Sequence, residues 1–166
     1  MPYPVPPLPA EIWTRLPDAA ALARMEAAAA AAFGAADPLT VVAAPGTQAL
    51  IQLLPRLVLA RRAAIVGYTY QEHAASWRAA GVETLTVEDP MAATEADVAI
   101  VVNPNNPDGR VWSTAELFAA AARLRAAGGL MVVDEAFADL TPATSIVPDL
   151  PAEGVVVLRS FGKTYG

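Results

Sequence analysis

From residue 39 onward, short apolar runs alternate with longer stretches of mixed apolar and polar character. Strands are expected at 39–43, 63–66, 83–87, 98–102, 130–133 and 155–158. Helices are expected at 46–60, where Pro55 should bend the axis, at 71–80 and at 114–127. The last of these is introduced by Ser113-Thr114-Ala115-Glu116, a capping-box pattern. Upstream, Pro17-Asp18 opens an alanine-rich helix that Gly34 can close. The runs 98–102, 130–133 and 155–158 are apolar at every position, as strands covered on both faces are. Strands alternating with helices in this way predict an α/β fold, a largely parallel sheet with helices on both faces.

Residues 1–9 contain five prolines and no core pattern, so the first 17 residues read as an extended arm lying over a surface. Residues 18–166 read as one domain or part of one, with no repeat or compositional break. Apolar residues make up 55% of the chain, yet 38 of them are alanine, so the large core-forming side chains are fewer than that figure suggests. The net charge of −6 and the lack of any basic stripe argue against a nucleic-acid or anionic-membrane partner. No secretory signal is visible, and Arg24 and Glu26 interrupt the alanine tract, so a soluble cytoplasmic protein is expected. Without cysteine, and with His73 as the sole histidine, thiolate chemistry and histidine-cluster metal sites are excluded. Ten of the 11 basic residues are arginine; the one lysine is Lys163. An amine that must lose its proton to react cannot be replaced by a guanidinium, although chance alone could also leave one lysine.

In parallel sheets ligands collect beyond the carboxyl ends of the strands. Pro45-Gly46-Thr47-Gln48 could cap a helix or hold a phosphate there. Asn103 to Gly109 reads Asn-Pro-Asn-Asn-Pro-Asp-Gly, a dense turn signal. Asp134-Glu135 places carboxylates where a buried strand emerges, which is costly without a charged or hydrogen-bonded partner. Gly162-Lys163-Thr164 imitates a nucleotide phosphate loop, but Val157 stands where that motif needs glycine. A triad of Ser160, His73 and Asp134 lacks the G-x-S-x-G elbow.

In order, Gly46-Thr47-Gln48, Tyr70 with His73, Asn103-Pro104-Asn105-Asn106-Pro107-Asp108-Gly109, Asp134-Glu135-Ala136-Phe137 and Ser160-Phe161-Gly162-Lys163 resemble the fold type I pyridoxal-phosphate enzymes of the class I/II aminotransferase group. The resemblance runs from about Pro17 to the last residue. It implies that Lys163 carries pyridoxal 5'-phosphate covalently and, once released, moves protons at the substrate. It also implies that Asp134 pairs with the protonated pyridine nitrogen, keeping the ring an electron sink. Asn106 would bond the ring's phenolic oxygen, Tyr70 would stack on the ring, and His73 would support Asp134, unless it is simply a hydrogen-bonded core histidine. Gly46, Thr47 and Ser160, with Gln48, would hold the phosphate.

Within the group the chain is most similar to the threonine-phosphate decarboxylases of cobalamin biosynthesis, with histidinol-phosphate aminotransferases next. The features are Pro2-Tyr3-Pro4 through Arg15-Leu16-Pro17-Asp18, the Pro-Gly-Thr-Gln-Ala-Leu turn, and Phe137 where many aminotransferases have tyrosine. Leu16 stands where histidinol-phosphate enzymes usually carry a tyrosine that reaches the neighbouring subunit. The implied reaction is decarboxylation of a small phosphorylated amino acid, with transamination as the alternative. Family chains are about twice this length, extend further at the start, and carry an arginine and a small domain after the lysine. The expectation is therefore a fragment of the large domain, either part of a homodimeric enzyme or a non-catalytic cofactor-binding remnant.

Overall fold

The structure is a computed structural model describing residues 7–36, 41–150 and 153–164. Five strands form one sheet in the order β2-β1-β3-β4-β5, and every neighbouring pair is parallel. They are β1 (Arg62–Val66), β2 (Glu83–Val87), β3 (Val98–Val102), β4 (Leu130–Asp134) and β5 (Val155–Leu158). The helices are α1 (Glu11–Thr14), α2 (Ala19–Phe33), α3 (Thr47–Leu57), α4 (Glu72–Ala79) and α5 (Thr114–Ala126). None of the helices described is long and apolar enough to cross a membrane.

Alternation along the strands divides the core in two, because successive side chains leave a pleated strand on opposite faces. On one face Ala64, Val101 and Val133 pack with Leu117 and Leu124 of α5. On the other, Ile65, Ile100 and Val132 pack with Ile51 of α3 and Trp77 of α4. Helices thus cover both faces, as the apolar runs predict. At full burial each large aliphatic side chain contributes roughly 1.5–3 kcal/mol, so these two layers supply most of the driving force.

The helix signals work as expected at both ends. Asp18 caps α2 by accepting from the Ala21 N–H at 2.7 Å, and Gly34 closes it in the left-handed region with φ 75°. Ser113 and Glu116 form the reciprocal capping box that starts α5. Helix α3 is shorter than the 46–60 expected. Pro55 has no N–H to give, and the helix stops two residues later, with Val58 extended.

Two expectations fail. The strand at 39–43 is absent at 41–43, residues 39 and 40 lying outside the described residues. Instead of joining a ladder, the Ala43 N–H donates to Glu26 Oε1 at 2.9 Å. The run 155–158 is a strand, but only Leu158 is buried, because β5 pairs with β4 alone among the described residues. Of the N-terminal arm, residues 7–17 are described: Ile12, Trp13 and Leu16 are exposed, and residues 11–14 form α1. Residues 1–6 of the arm lie outside the described residues.

The strand order reverses between β1 and β3, the switch point where parallel sheets open a crevice at their carboxyl ends. Val102, Asp134 and Leu158 lie level across β3, β4 and β5. The turns that follow them therefore emerge side by side.

Candidate active site at the carboxyl ends of the strands

Asp134 ends β4, and its buried carboxylate is fully engaged by the protein. Its Oδ2 accepts from His73 Nε2 at 2.8 Å, and its Oδ1 accepts from the Ala136 N–H at 3.0 Å. His73 belongs to the first turn of α4 and is equally buried. Desolvating a carboxylate is costly, and the imidazole and amide offset that cost while fixing the plane of the carboxylate. Each oxygen keeps a second lone pair, so the group can still accept a proton donor from the crevice.

Tyr70 precedes α4, is 41% exposed, and meets the His73 ring edge-on with centroids 6.2 Å apart. Its hydroxyl donates to Gln48 Oε1 at 3.3 Å, and Gln48 Nε2 donates to Glu72 Oε2 at 2.8 Å. The Gln48 amide thus bridges Tyr70 and Glu72, and its second N–H remains available to a ligand.

Gly46 stands at the head of α3 with φ 94°, a conformation that favours glycine, and nothing lies within 4 Å of where its side chain would begin. The opening N–H groups of a helix lack intrahelical acceptors and attract anions. Thr47 is the first residue of α3, and its hydroxyl donates to the Arg159 carbonyl at 3.2 Å. This brings the head of α3 against Ser160, which is half-buried. Gly46, Thr47 and Ser160 share one rim of a cavity of about 610 Å³. Most of that cavity is an apolar trough between α2 and β5, lined by Met25, Phe33, Val41 and Val156, and it does not reach Asp134 or His73.

Lys163 is exposed, with Nζ 5.7 Å from the centroid of the Phe137 ring, a cation–π distance. Phe137 follows three residues after Asp134, so the amine is tethered to the turn that leaves β4. The hydroxyl of Thr164, the next residue, is buried without a partner among the described residues. Asn106 is the outlier: it is exposed, and its side chain forms no hydrogen bond among the described residues. It is the neighbouring Asn105 that organises the turn, donating to the Tyr68 carbonyl at 3.0 Å and to Asp108 at 2.7 Å.

Two residues without an assigned role complete the surroundings. Glu135 is buried and accepts from Arg159 at 2.8 Å. Asp134-Glu135 announced a carboxylate in need of a partner, and the arginine directly after the last apolar run supplies it.

The sequence profile described as "Aminotransferase class I and II" matches residues 10–166. The chain belongs to that family. A threonine-phosphate decarboxylase from Sinorhizobium sp is 47% identical over 170 residues, covering 99% of this chain and 50% of its own length. A histidinol-phosphate aminotransferase from Citrifermentans bemidjiense is 31% identical over 162 residues, covering 91% and 45%. The solved structure of histidinol-phosphate aminotransferase from Sinorhizobium meliloti, in complex with pyridoxal-5'-phosphate, superposes with a TM-score of 0.75 at 24% identity, covering 86% and 43%. This member of the class I and II aminotransferase family thus spans about half the length of the curated relatives it matches.

Proposed function

We propose that this chain is the cofactor-binding part of a cytoplasmic, homodimeric pyridoxal-phosphate enzyme that decarboxylates L-threonine O-3-phosphate to aminopropanol phosphate, a step of cobalamin biosynthesis. The observation that carries this reading is the 47% identity to a threonine-phosphate decarboxylase along essentially the whole chain, against 31% to a histidinol-phosphate aminotransferase. Residues 18–166 would form part of the large domain.

The residues present suit the cofactor. A flat, phosphorylated heteroaromatic aldehyde needs an amine, a fixed carboxylate, an aromatic face and a cluster of N–H and hydroxyl donors. Lys163, Asp134, Tyr70 and the Gly46–Thr47–Ser160 rim answer these in turn. When bound, pyridoxal phosphate supplies an electron sink for the pair left behind when a bond to the substrate's α-carbon breaks.

The protein's own part is placement and proton handling. Asp134 accepts a proton-bearing ring nitrogen, and His73 keeps its carboxylate in one orientation. Tyr70, braced through Gln48 and Glu72, offers a face against which a ring can lie flat. Ser160 and the head of α3 draw in a phosphate. Lys163 is the amine that would hold the cofactor's aldehyde and, once free, would return a proton to the substrate's α-carbon. Phe137 has no hydroxyl to offer the ring's phenolic oxygen, which leaves Asn106 as the residue for that contact.

The test treats the full chain with pyridoxal phosphate and then borohydride, followed by peptide mapping. A pyridoxyl adduct on Lys163 in the parent, and none in Lys163→Arg, is expected. With threonine phosphate, carbon dioxide release without an oxo acid is expected. Amino transfer to an oxo acid would replace this reading with an aminotransferase. Adduct without either product would leave a non-catalytic binding unit, and no adduct would overturn the cofactor assignment.

A further inference from the structure

We infer that Arg159 is a positioning residue that sets the spacing between Asp134 and the Ser160–Lys163 segment by clamping Glu135; the inference rests on the cofactor reading above. Glu135 is the residue after Asp134, and Arg159 the residue before Ser160. Their side chains form a pair 2.8 Å apart with the carboxylate fully buried and the guanidinium 12% exposed. Further polar atoms of both side chains bond the surrounding turns, while Arg159 Nε is buried without a partner among the described residues. Glu135 accepts from the Ser145 hydroxyl at 2.6 Å and the Ile146 N–H at 2.7 Å. Arg159 donates to Ser145 Oγ at 3.0 Å and pairs through its second amino group with Asp139. Its guanidinium also lies 4.3 Å from the Phe33 ring centroid, at the end of α2.

The main chain of the same two residues completes the frame. The Glu135 N–H donates to the Leu158 carbonyl at 2.8 Å, extending the β4–β5 ladder by one step. The Arg159 carbonyl accepts the Thr47 hydroxyl at 3.2 Å. One residue therefore touches the exit of β4, the turns after it, the end of α2 and the head of α3. Those segments carry the carboxylate, the phosphate rim and the amine.

Buried ion pairs seldom stabilise a fold more than well-packed apolar residues of equal volume, so net stability is a weak reason for this one. Its distinguishing property is geometry. A planar fork with donors in fixed directions holds Glu135 and Asp139 at one separation, which a flexible ammonium cannot do. Consecutive residues leave the chain on opposite sides, so Glu135 is held away from the crevice while Asp134 faces His73. Arg159 then acts through its neighbours rather than on the ligand, by keeping one side of the slot at a set distance from the other.

The experiment compares the parent full chain with Arg159→Lys, Arg159→Met and Glu135→Gln. Four quantities are read: pyridoxal-phosphate affinity, the pH midpoint of the bound cofactor's visible band, hydrogen exchange of the Glu135 and Ile146 amides without cofactor, and the melting temperature. Arg159→Met should weaken pyridoxal phosphate by about tenfold or more, the scale on which residues supporting a ligand-holding group act. It should also shift the pH midpoint and speed both amides. Arg159→Lys, which keeps the charge, should regain much of the thermal midpoint but not the parental pH midpoint. Should Arg159→Met fail to fold, Arg159→Lys and Glu135→Gln carry the same comparison. Parental affinity and pH midpoint in folded variants, with only the melting temperature lowered, would reduce Arg159 to a purely structural role and overturn the inference. A parent chain that takes up no pyridoxal phosphate would instead fail at the proposed function itself.

Discussion

The Thr47 hydroxyl reaches across 112 residues of sequence to the carbonyl of Arg159, at 3.2 Å. Its one hydrogen is thereby committed to the protein, and only its lone pairs and the main-chain N–H face other partners. Thr47→Val removes this tie while keeping the side-chain shape. One neutral hydrogen bond contributes about 0.5–1.5 kcal/mol. Thr47→Val should therefore weaken pyridoxal-phosphate binding by roughly threefold to tenfold, and Thr47→Ser by less than about twofold, measured by absorbance titration.

His73→Phe leaves the Asp134 carboxylate buried with one partner fewer. Leaving a buried polar group short of a hydrogen-bond partner costs about 1–3 kcal/mol, and more where the group is charged, so the urea unfolding midpoint should fall. Asp134→Asn in the same assay should cost less, because an amide can still bond the imidazole and carries no charge to strand. Equal losses would show that the pair contributes packing rather than electrostatics.

How far the site was legible in the sequence depends on the range of each interaction. The runs 98–102 and 155–158, apolar at every position, coincide with β3 and β5, and 83–87, where apolar and polar residues alternate, coincides with β2. The caps Asp18, Gly34 and Ser113 were legible because each acts within one turn of itself. Interactions over long separations left only half-signals. Glu135 advertised a missing partner without identifying Arg159, 24 positions away. The pattern at 39–43 was apolar enough for a strand, yet the Glu26 side chain takes the Ala43 N–H. Gln48 looked like a phosphate contact by position, and only the geometry ties its amide to Tyr70 and Glu72.

Asp97 gives the fold a specific acid sensitivity. Its carboxylate accepts from the N–H groups of Arg61 and Arg62 at 2.7 and 2.9 Å, and these bonds hold its pKa below the ordinary carboxylate value. The folded form thus binds this proton less readily than the unfolded chain. The stabilisation is complete above the unfolded value and is lost as the pH falls through the lower folded one, below about pH 4. Melting temperatures of parent and Asp97→Asn should differ at pH 6 and converge on acidification through that window.

Gly129 sits where β4 begins, with no room for a side chain. A methyl group there would stand 2.8 Å from Leu124 Cγ and 2.9 Å from the Asp97 carbonyl oxygen. That carbonyl accepts the Leu130 N–H, so it cannot retreat without weakening the start of the strand. Gly129→Ala should destabilise the protein by about 1–3 kcal/mol in chemical denaturation, with no direct effect on pyridoxal-phosphate affinity.

Lys163, the amine proposed to carry the cofactor, hangs five positions beyond Leu158, on a strand with ladder bonds along one side only among the described residues. The centre of the sheet, β1, β3 and β4, is closed on both sides and does not depend on β5 for its own pairing. On warming, the outermost ribbon should come loose first and carry Lys163 away with it, while the interior stays protected. Chemical competence would then vanish several degrees before the fold does, so a melting curve alone would overstate the range over which the molecule can work.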